Sequence, residues 1–280
     1  MSILFLLLGL LLAICAAVTV TSFAILWYDT ANREPGLVAD RFRGDRLLFA
    51  LRLLATETLC LLLSVLTRPL GWFPGKSDDL RAASGPAVLL LHGLFHNRGC
   101  WWWVARQLRR RGMAVYTVNL QLWHTPLAAV EIVAEKIEEI VGEGAKTVCL
   151  VGHSMGGLIA RQYLRERGAS RVEKCVLLGA PHQGSRLAPF AASPTGLMLM
   201  PGSEYLHRLN DQPFAAGVRC LAIYSRHDNM VLPWESGRLE GMPHRELSGI
   251  GHTALLYHPQ AVQALLAEIY EDAHGHYGNN

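Results

Sequence analysis

Lys146-Thr147-Val148-Cys149-Leu150-Val151-Gly152-His153-Ser154-Met155-Gly156-Gly157 is the stretch on which the reading of this chain turns. Lys146 to Val151 reads as a short buried strand. Leu158 to Arg167 reads as a helix, with Gly168 as its stop. Between them, Gly152 to Gly156 fits the pattern G-x-S-x-G. A sharp strand-to-helix turn of this kind holds its serine in a strained backbone conformation and lifts the side chain clear of the sheet. Strand and helix nearly touch there, so the positions two before and two after the serine must be small. Gly152 and Gly156 meet that requirement.

The flanking sequence repeats the alternation. Ala87 to Leu91 is a continuous apolar run, as expected of a parallel strand buried on both faces. Trp101 to Arg111 reads as a helix ending at Gly112, and Ala114 to Val118 as a strand. Leu127 to Val141 reads as a helix, with Val130, Val133, Ala134, Ile137 and Val141 on its apolar side. Val172–Leu178, Val218–Tyr224 and Arg245–Leu247 read as further strands, and His258–Asp272 as a closing helix. Strands alternating with helices imply an α/β protein with a mostly parallel sheet flanked by helices.

A serine hydroxyl is a weak nucleophile until a base takes its proton. Reactive groups gather at the carboxyl ends of parallel strands. Asp228 follows the strand at Val218–Tyr224, and His252 follows the strand at Arg245–Leu247. They are the expected acid and base, in the chain order serine, acid, histidine. Asp228 would hold His252 in the correct tautomer and stabilise its imidazolium. The competing positions are Asp211 or Glu204 as acid, and His227, His244 or His258 as base; the strand-end pair is preferred. Developing charge on an ester oxygen needs two donors. The backbone N–H of Met155 is one. The other comes from the loop after the first core strand, His92-Gly93-Leu94-Phe95-His96, with Leu94 preferred and Phe95 next. Gly93, Phe95 and His153 are expected beside the substrate, His153 through packing or hydrogen bonding rather than as a base. Trp101-Trp102-Trp103 reads as a helix start with one or two rings in the core.

On these residues, together with Ala180-Pro181-His182-Gln183-Gly184-Ser185, Asp228-Asn229-Met230-Val231 and Gly251-His252, the chain resembles the α/β-hydrolases of the bacterial lipase and esterase type. The resemblance spans roughly Ala87 to Asp272. It implies the α/β-hydrolase fold, the triad Ser154, Asp228 and His252, and no metal or organic cofactor. The antiparallel strands that usually lead the sheet are expected to have no counterpart here, as in smaller lipases. The segment from Ala188 to Pro213, rich in Met, Leu, Pro and Gly, reads as a small cap over the site, within about 186–216.

The chain has 280 residues, enough for one large domain or two small ones. Its formal charge of +3 comes without a dense basic block, which argues against nucleic acid as a partner. Six scattered cysteines with no C-x-x-C spacing point to neither a zinc site nor a disulfide framework. Half the residues are hydrophobic, and the excess lies at the N-terminus. Ile3 to Trp27 carries no charge and is long enough to cross a bilayer as a helix. No Lys or Arg precedes it, so a retained anchor is favoured over a cleaved signal peptide. Leu47 to Leu66 is a second apolar stretch, interrupted by Arg52 and Glu57. It reads as a second crossing, a surface amphipathic helix, or a helix packed on the catalytic domain. Arg33, Arg41, Arg43 and Arg46 place the loop between the two stretches in the cytoplasm. One crossing then leaves the catalytic domain cytoplasmic, and two put it on the opposite face.

The expected organisation is an anchor at 1–28, a juxtamembrane region at 29–86 with a linker from Pro69 to Pro86, and a catalytic domain at 87–280. The expected activity is serine-dependent cleavage of carboxylic esters, lipids above all, at a membrane, the bacterial inner membrane by resemblance. An acyltransferase or thioesterase using the same three residues is the alternative, and a non-catalytic membrane scaffold a more distant one.

Overall fold

The computed structural model describes residues 3–38, 42–73, 87–121, 124–211 and 217–270. Its six strands are β1 (Ala87–Leu91), β2 (Ala114–Val118), β3 (Val148–His153), β4 (Val172–Leu178), β5 (Arg219–Ser225) and β6 (His244–Leu247). They form one parallel sheet in the order β2-β1-β3-β4-β5-β6. β1, β2 and β4 fall on the expected residues. β3 extends two residues past Val151, so that its last residue directly precedes the serine.

Period-two alternation divides the apolar strand residues between two cores. Leu89, Leu91, Leu150 and Leu177 point to one face, against α4 (Pro126–Gly142) and α5 (Met155–Arg167). Val88, Leu90, Val151 and Val176 point to the other, against α3 (Trp102–Arg109) and α8 (Pro259–Tyr270). Each such side chain, fully buried, contributes about 1.5–3 kcal/mol, which is why β1 is apolar throughout. Thr125 caps α4 by accepting the Ala128 N–H, with Pro126 in the first turn. Trp101 is fully buried just ahead of α3.

The chain leaves β1 for β2 on one side and returns to β3 on the other. The loops after β1 and β3 therefore diverge and open a crevice at the carboxyl ends of the strands. Between β4 and β5 the chain inserts α6 (Pro194–Met198) and α7 (Glu204–Asn210). Leu199, Leu206 and Leu209 of this insertion pack on Leu158 of α5, and Leu94 joins the same cluster. Buried Arg161 donates to the Leu209 carbonyl and to Asn210 Oδ1, fastening the end of α7 to α5. The end of the insertion, residues 212–216, lies outside the described residues, as do 74–86 of the expected linker and the C-terminal 271–280 with His274 and His276.

Two long helices precede the sheet: α1 (Ile3–Arg33) and α2 (Gly44–Leu66). One face of the second apolar stretch packs on the catalytic unit, where Glu57 accepts the Thr253 and Ala254 N–H groups. Leu53, Glu57 and Ser64, spaced four and seven apart, are buried on one face of α2. The start of the expected linker is also docked: Asn97 donates to the Arg68 carbonyl, and Arg98 and Asn119 both donate to that of Gly71. On α1, Cys15, Thr19, Ser22 and Leu26 form the buried stripe. The rest of its first half is bare hydrocarbon, including Ile3, Phe5, Leu7, Leu10 and Ile14. By length and composition both helices are candidate membrane spans.

Candidate active site

The turn after β3 is as tight as its sequence implies. Ser154 has φ 55° and ψ −124°, a region that side chains rarely occupy and that costs about 1–3 kcal/mol. Its surroundings hold it there. Ser154 N–H donates to the Leu178 carbonyl at 2.9 Å, and the Ser154 carbonyl accepts from Gly157. A methyl group on Gly152 would lie 2.5 Å from the Gly156 carbonyl, and one on Gly156 would collide with the Leu91 carbonyl. Helix α5 therefore begins at Met155, three residues earlier than expected, because the turn itself is its first turn. The Met155 N–H lies in that first turn, where backbone donors have no partner within the helix.

Asp228 and His252 come together as expected. Asp228 is 1% exposed; its Oδ1 accepts the Met230 and Val231 N–H groups, both at 2.8 Å, and its Oδ2 lies 2.7 Å from His252 Nδ1. A carboxylate oxygen only accepts, so Nδ1 carries the proton and Nε2 of the neutral ring is left as an acceptor. Burial opposes a charged imidazole, yet the Asp228 charge and hydrogen bond, aided by Glu57, raise the His252 pKa above its usual value. Both residues border Gly179 at the end of β4: a methyl group there would sit 3.4 Å from Asp228 Oδ2 and 3.5 Å from His252 Cε1. Leu178, which precedes Gly179, is the residue that accepts the Ser154 N–H. Ser154, Asp228 and His252 are thus gathered around one strand end.

A family model described as the alpha/beta hydrolase family matches residues 88–272. The chain belongs to that family. A triacylglycerol lipase of Pseudarthrobacter phenanthrenivorans is 32% identical over 134 residues, covering 42% of each chain. One from Burkholderia plantarii is also 32% identical over 134 residues, 42% of this chain and 37% of that protein. The match thus spans well under half the length of these curated relatives. Among solved structures, a mature Bacillus licheniformis lipase superposes with a TM-score of 0.60 at 18% identity, over 70% of this chain and 96% of that one. Aspergillus fumigatus lipase B gives 0.60 at 17%, over 71% and 56%. At that identity the likeness concerns the fold.

The loop after β1 carries the other half of this α/β-hydrolase crevice. His92 donates from Nδ1 to the Gly93 carbonyl at 2.9 Å and accepts the Leu120 N–H at Nε2, also at 2.9 Å. That pair of roles needs a neutral ring, and burial holds its pKa down at about 4. A methyl group on Gly93 would lie 2.8 Å from Ser154 Cβ, so no side chain fits between this loop and the serine. Leu94 is half-buried against the inserted helices; Phe95 takes φ 58° and stands 49% exposed at the rim.

His153 packs and hydrogen-bonds, as expected, with its ring turned inward. It is fully buried, with its ring 4.6 Å from that of His252, and its Nε2 donates to the His252 carbonyl at 3.2 Å. Burial and the neighbouring His252 and His96 hold it neutral. It positions the histidine loop from behind and has no free surface to offer a ligand. The competing residues are not drawn in. His227 accepts the Gly249 N–H, packs edge-on against Phe49, and is pushed by burial to about 4. His244 is exposed at the start of β6, His258 precedes α8, and Glu204 and Asp211 lie at the two ends of α7.

Four polar residues around the site had no role in the sequence reading. Ser185 Oγ donates to the Met230 carbonyl and accepts the Leu187 and Leu232 N–H groups, tying the Ala180–Ser185 segment to the acid loop. Asn229 accepts the His252 N–H at 3.0 Å. Glu57 and Ser22 reach the same loops from α2 and α1. Ser185 and Asn229 stand in stretches that carry the family resemblance, and Glu57 shows in the sequence as a charge in an apolar run. Among the described residues, no group of three or more His, Cys, Asp and Glu side chains is gathered to hold a metal ion.

Proposed function

We propose that this protein is a serine-dependent hydrolase of carboxylic esters, acting on lipids at a membrane surface. The observation that carries the chemistry is the 2.7 Å contact between Asp228 and His252 Nδ1, beside a serine held at positive φ. In this reading His252 Nε2 takes the hydroxyl proton as Ser154 Oγ attacks the ester carbonyl. The backbone N–H groups of Met155 and Leu94 receive the oxyanion. His252 then returns the proton to the leaving alcohol, and water activated by the same nitrogen releases the acyl group. Asp228 stabilises the imidazolium and fixes its tautomer throughout.

The lipid substrate rests on surface chemistry. Ile3, Phe5, Leu7 and Leu10 on α1, Phe95 after β1, and Phe190 and Leu197 on the insertion are all exposed. Exposed apolar area on this scale marks a partner, here the bilayer. We take residues 1–28 as the anchor, 29–86 as the connecting region, and 87–280 as the catalytic unit with its cap at 186–216. With α2 lying against the catalytic unit rather than crossing separately, one crossing and the basic loop put the site on the cytoplasmic side. The family relatives named triacylglycerol lipases support an ester of this type.

Two experiments test the reading. Ser154→Ala is expected to abolish p-nitrophenyl ester hydrolysis and fluorophosphonate labelling while leaving the thermal transition in place; a variant that retains full activity refutes the assignment. Replacing Leu7, Leu10 and Ile14 together by Ser is expected to move the protein from the membrane pellet to the supernatant with hydrolysis of a soluble short-chain ester intact. Continued sedimentation with membranes refutes the anchor.

A further inference from the structure

His252 opens a short 3-10 turn, Thr253–Leu256, whose first backbone N–H groups have no acceptor within the turn. Such groups are normally capped by the side chain of the residue that precedes them. Here that residue is His252, whose ring is committed to Asp228. The cap comes from elsewhere. Glu57, 2% exposed on α2, accepts the Thr253 N–H at Oε1 (2.8 Å) and the Ala254 N–H at Oε2 (2.9 Å). The carboxylate fills the space beside Gly251, where any side chain would collide with it.

A second strut comes from α1. Ser22 Oγ accepts from Asn229 Nδ2 at 2.7 Å and donates to the Thr19 carbonyl, while Asn229 Oδ1 accepts the His252 N–H. Three successive N–H groups, those of His252, Thr253 and Ala254, are therefore held by side chains that belong to, or lean on, the two N-terminal helices. Both helices lie outside the residues matched by the hydrolase family model.

We propose that the N-terminal helix pair is a working part of the active site, with Glu57 as the positioning residue that sets His252 against Asp228. The proposal rests on the triad reading above. A buried carboxylate in a mostly apolar helix costs free energy, and hydrophobic packing alone would serve stability at least as well. What the carboxylate supplies is a fixed place for the backbone on either side of the base. It also adds negative charge near the imidazole, alongside Asp228 from the loop after β5 and opposite the uncharged rings of His153 on β3 and His96 in the loop after β1.

The test uses the full-length chain in detergent micelles, with active sites titrated by a fluorophosphonate. In Glu57→Gln the side-chain NH2 must face a backbone N–H, and the charge is lost. The expected result is a fall in kcat per titrated site of about 100-fold, the effect of a misplacement of about 1 Å, with KM unchanged. The acid limb of kcat/KM is expected to move to lower pH. Glu57→Asp keeps the charge but withdraws the carboxylate, so it is expected to lower kcat while leaving the acid limb in place. A Glu57→Gln enzyme within about threefold of wild type per titrated site, with an unmoved acid limb, overturns the proposal. Should that variant fail to fold, Glu57→Asp with wild-type kcat does the same. Failure of the triad reading shows separately, as a Ser154→Ala protein that still hydrolyses ester.

Discussion

Replacing Asp228 by Asn tests the site with a change of a single atom. The new amide has two orientations. In one, its oxygen keeps the Met230 and Val231 N–H groups that Asp228 Oδ1 now holds at 2.8 Å, and its NH2 faces His252 Nδ1. In the other, the NH2 faces those two backbone donors, leaving both buried N–H groups without acceptors at about 1–3 kcal/mol each. The first orientation is favoured by about 2–6 kcal/mol. An NH2 facing Nδ1 obliges that nitrogen to accept, so the proton moves to Nε2 and the ring can no longer take one from Ser154. The expected loss in kcat is about 10⁴-fold, the effect of a wrong tautomer in this kind of triad, or about 5 kcal/mol of barrier. Stability changes far less. One charge-assisted hydrogen bond becomes a neutral one, a loss of about 1–2 kcal/mol, or a few degrees in Tm. Asp228→Ala should reverse the ranking, with comparable loss of activity but a larger fall in Tm, because it strands both backbone donors. Hydrolysis of p-nitrophenyl butyrate and calorimetry on the three proteins decide the matter. An Asp228→Asn enzyme that keeps a tenth or more of wild-type kcat while folded refutes the tautomer argument, and an alanine variant more stable than the asparagine variant refutes the account of Oδ1.

Three further outcomes follow from the same geometry. Gly156→Ala drives a methyl group into the Leu91 carbonyl, so it should lower Tm by at least the few degrees that about 1–3 kcal/mol of overpacking brings; an unchanged melt would mean that β1 and α5 are not in contact there. The His252 pKa is raised, and the base acts only when neutral, so kcat/KM should fall on the acid side with an apparent pKa above that of a free histidine. The linked stability has the opposite sense. A raised folded-state pKa favours the folded protein most below the unfolded value of about 6.5, and the advantage is lost as pH rises through the folded value. Comparing wild-type and His252→Ala melts from pH 5 to 9 should show the difference between them shrink with rising pH.

Apolar patterning alone was enough to find the central strands. Runs such as Ala87–Leu91 and Val148–Val151 are apolar at every position because both faces of a parallel strand are covered, and that pattern needs no partner to be recognised. The sequence also located Ser154, since the spacing of Gly152 and Gly156 records how closely strand and helix approach. Asp228 and His252 were legible as strand-end residues in the expected order, and their hydrogen bond followed once the strands lay side by side. The tertiary structure decided what connects positions far apart in the chain. His153 stands next to the serine, which suggested contact with substrate, but its ring turns inward to the His252 carbonyl. Ser185 reads as an ordinary polar residue until the fold lays it against the Met230 carbonyl and the Leu232 N–H. The apolar run at Leu47–Leu66 has the composition of a crossing, and only its packing shows Glu57 turned toward the turn after His252, 196 residues further along. Periodicity records which face of an element is covered; it carries no information about which distant backbone donors a buried carboxylate will meet.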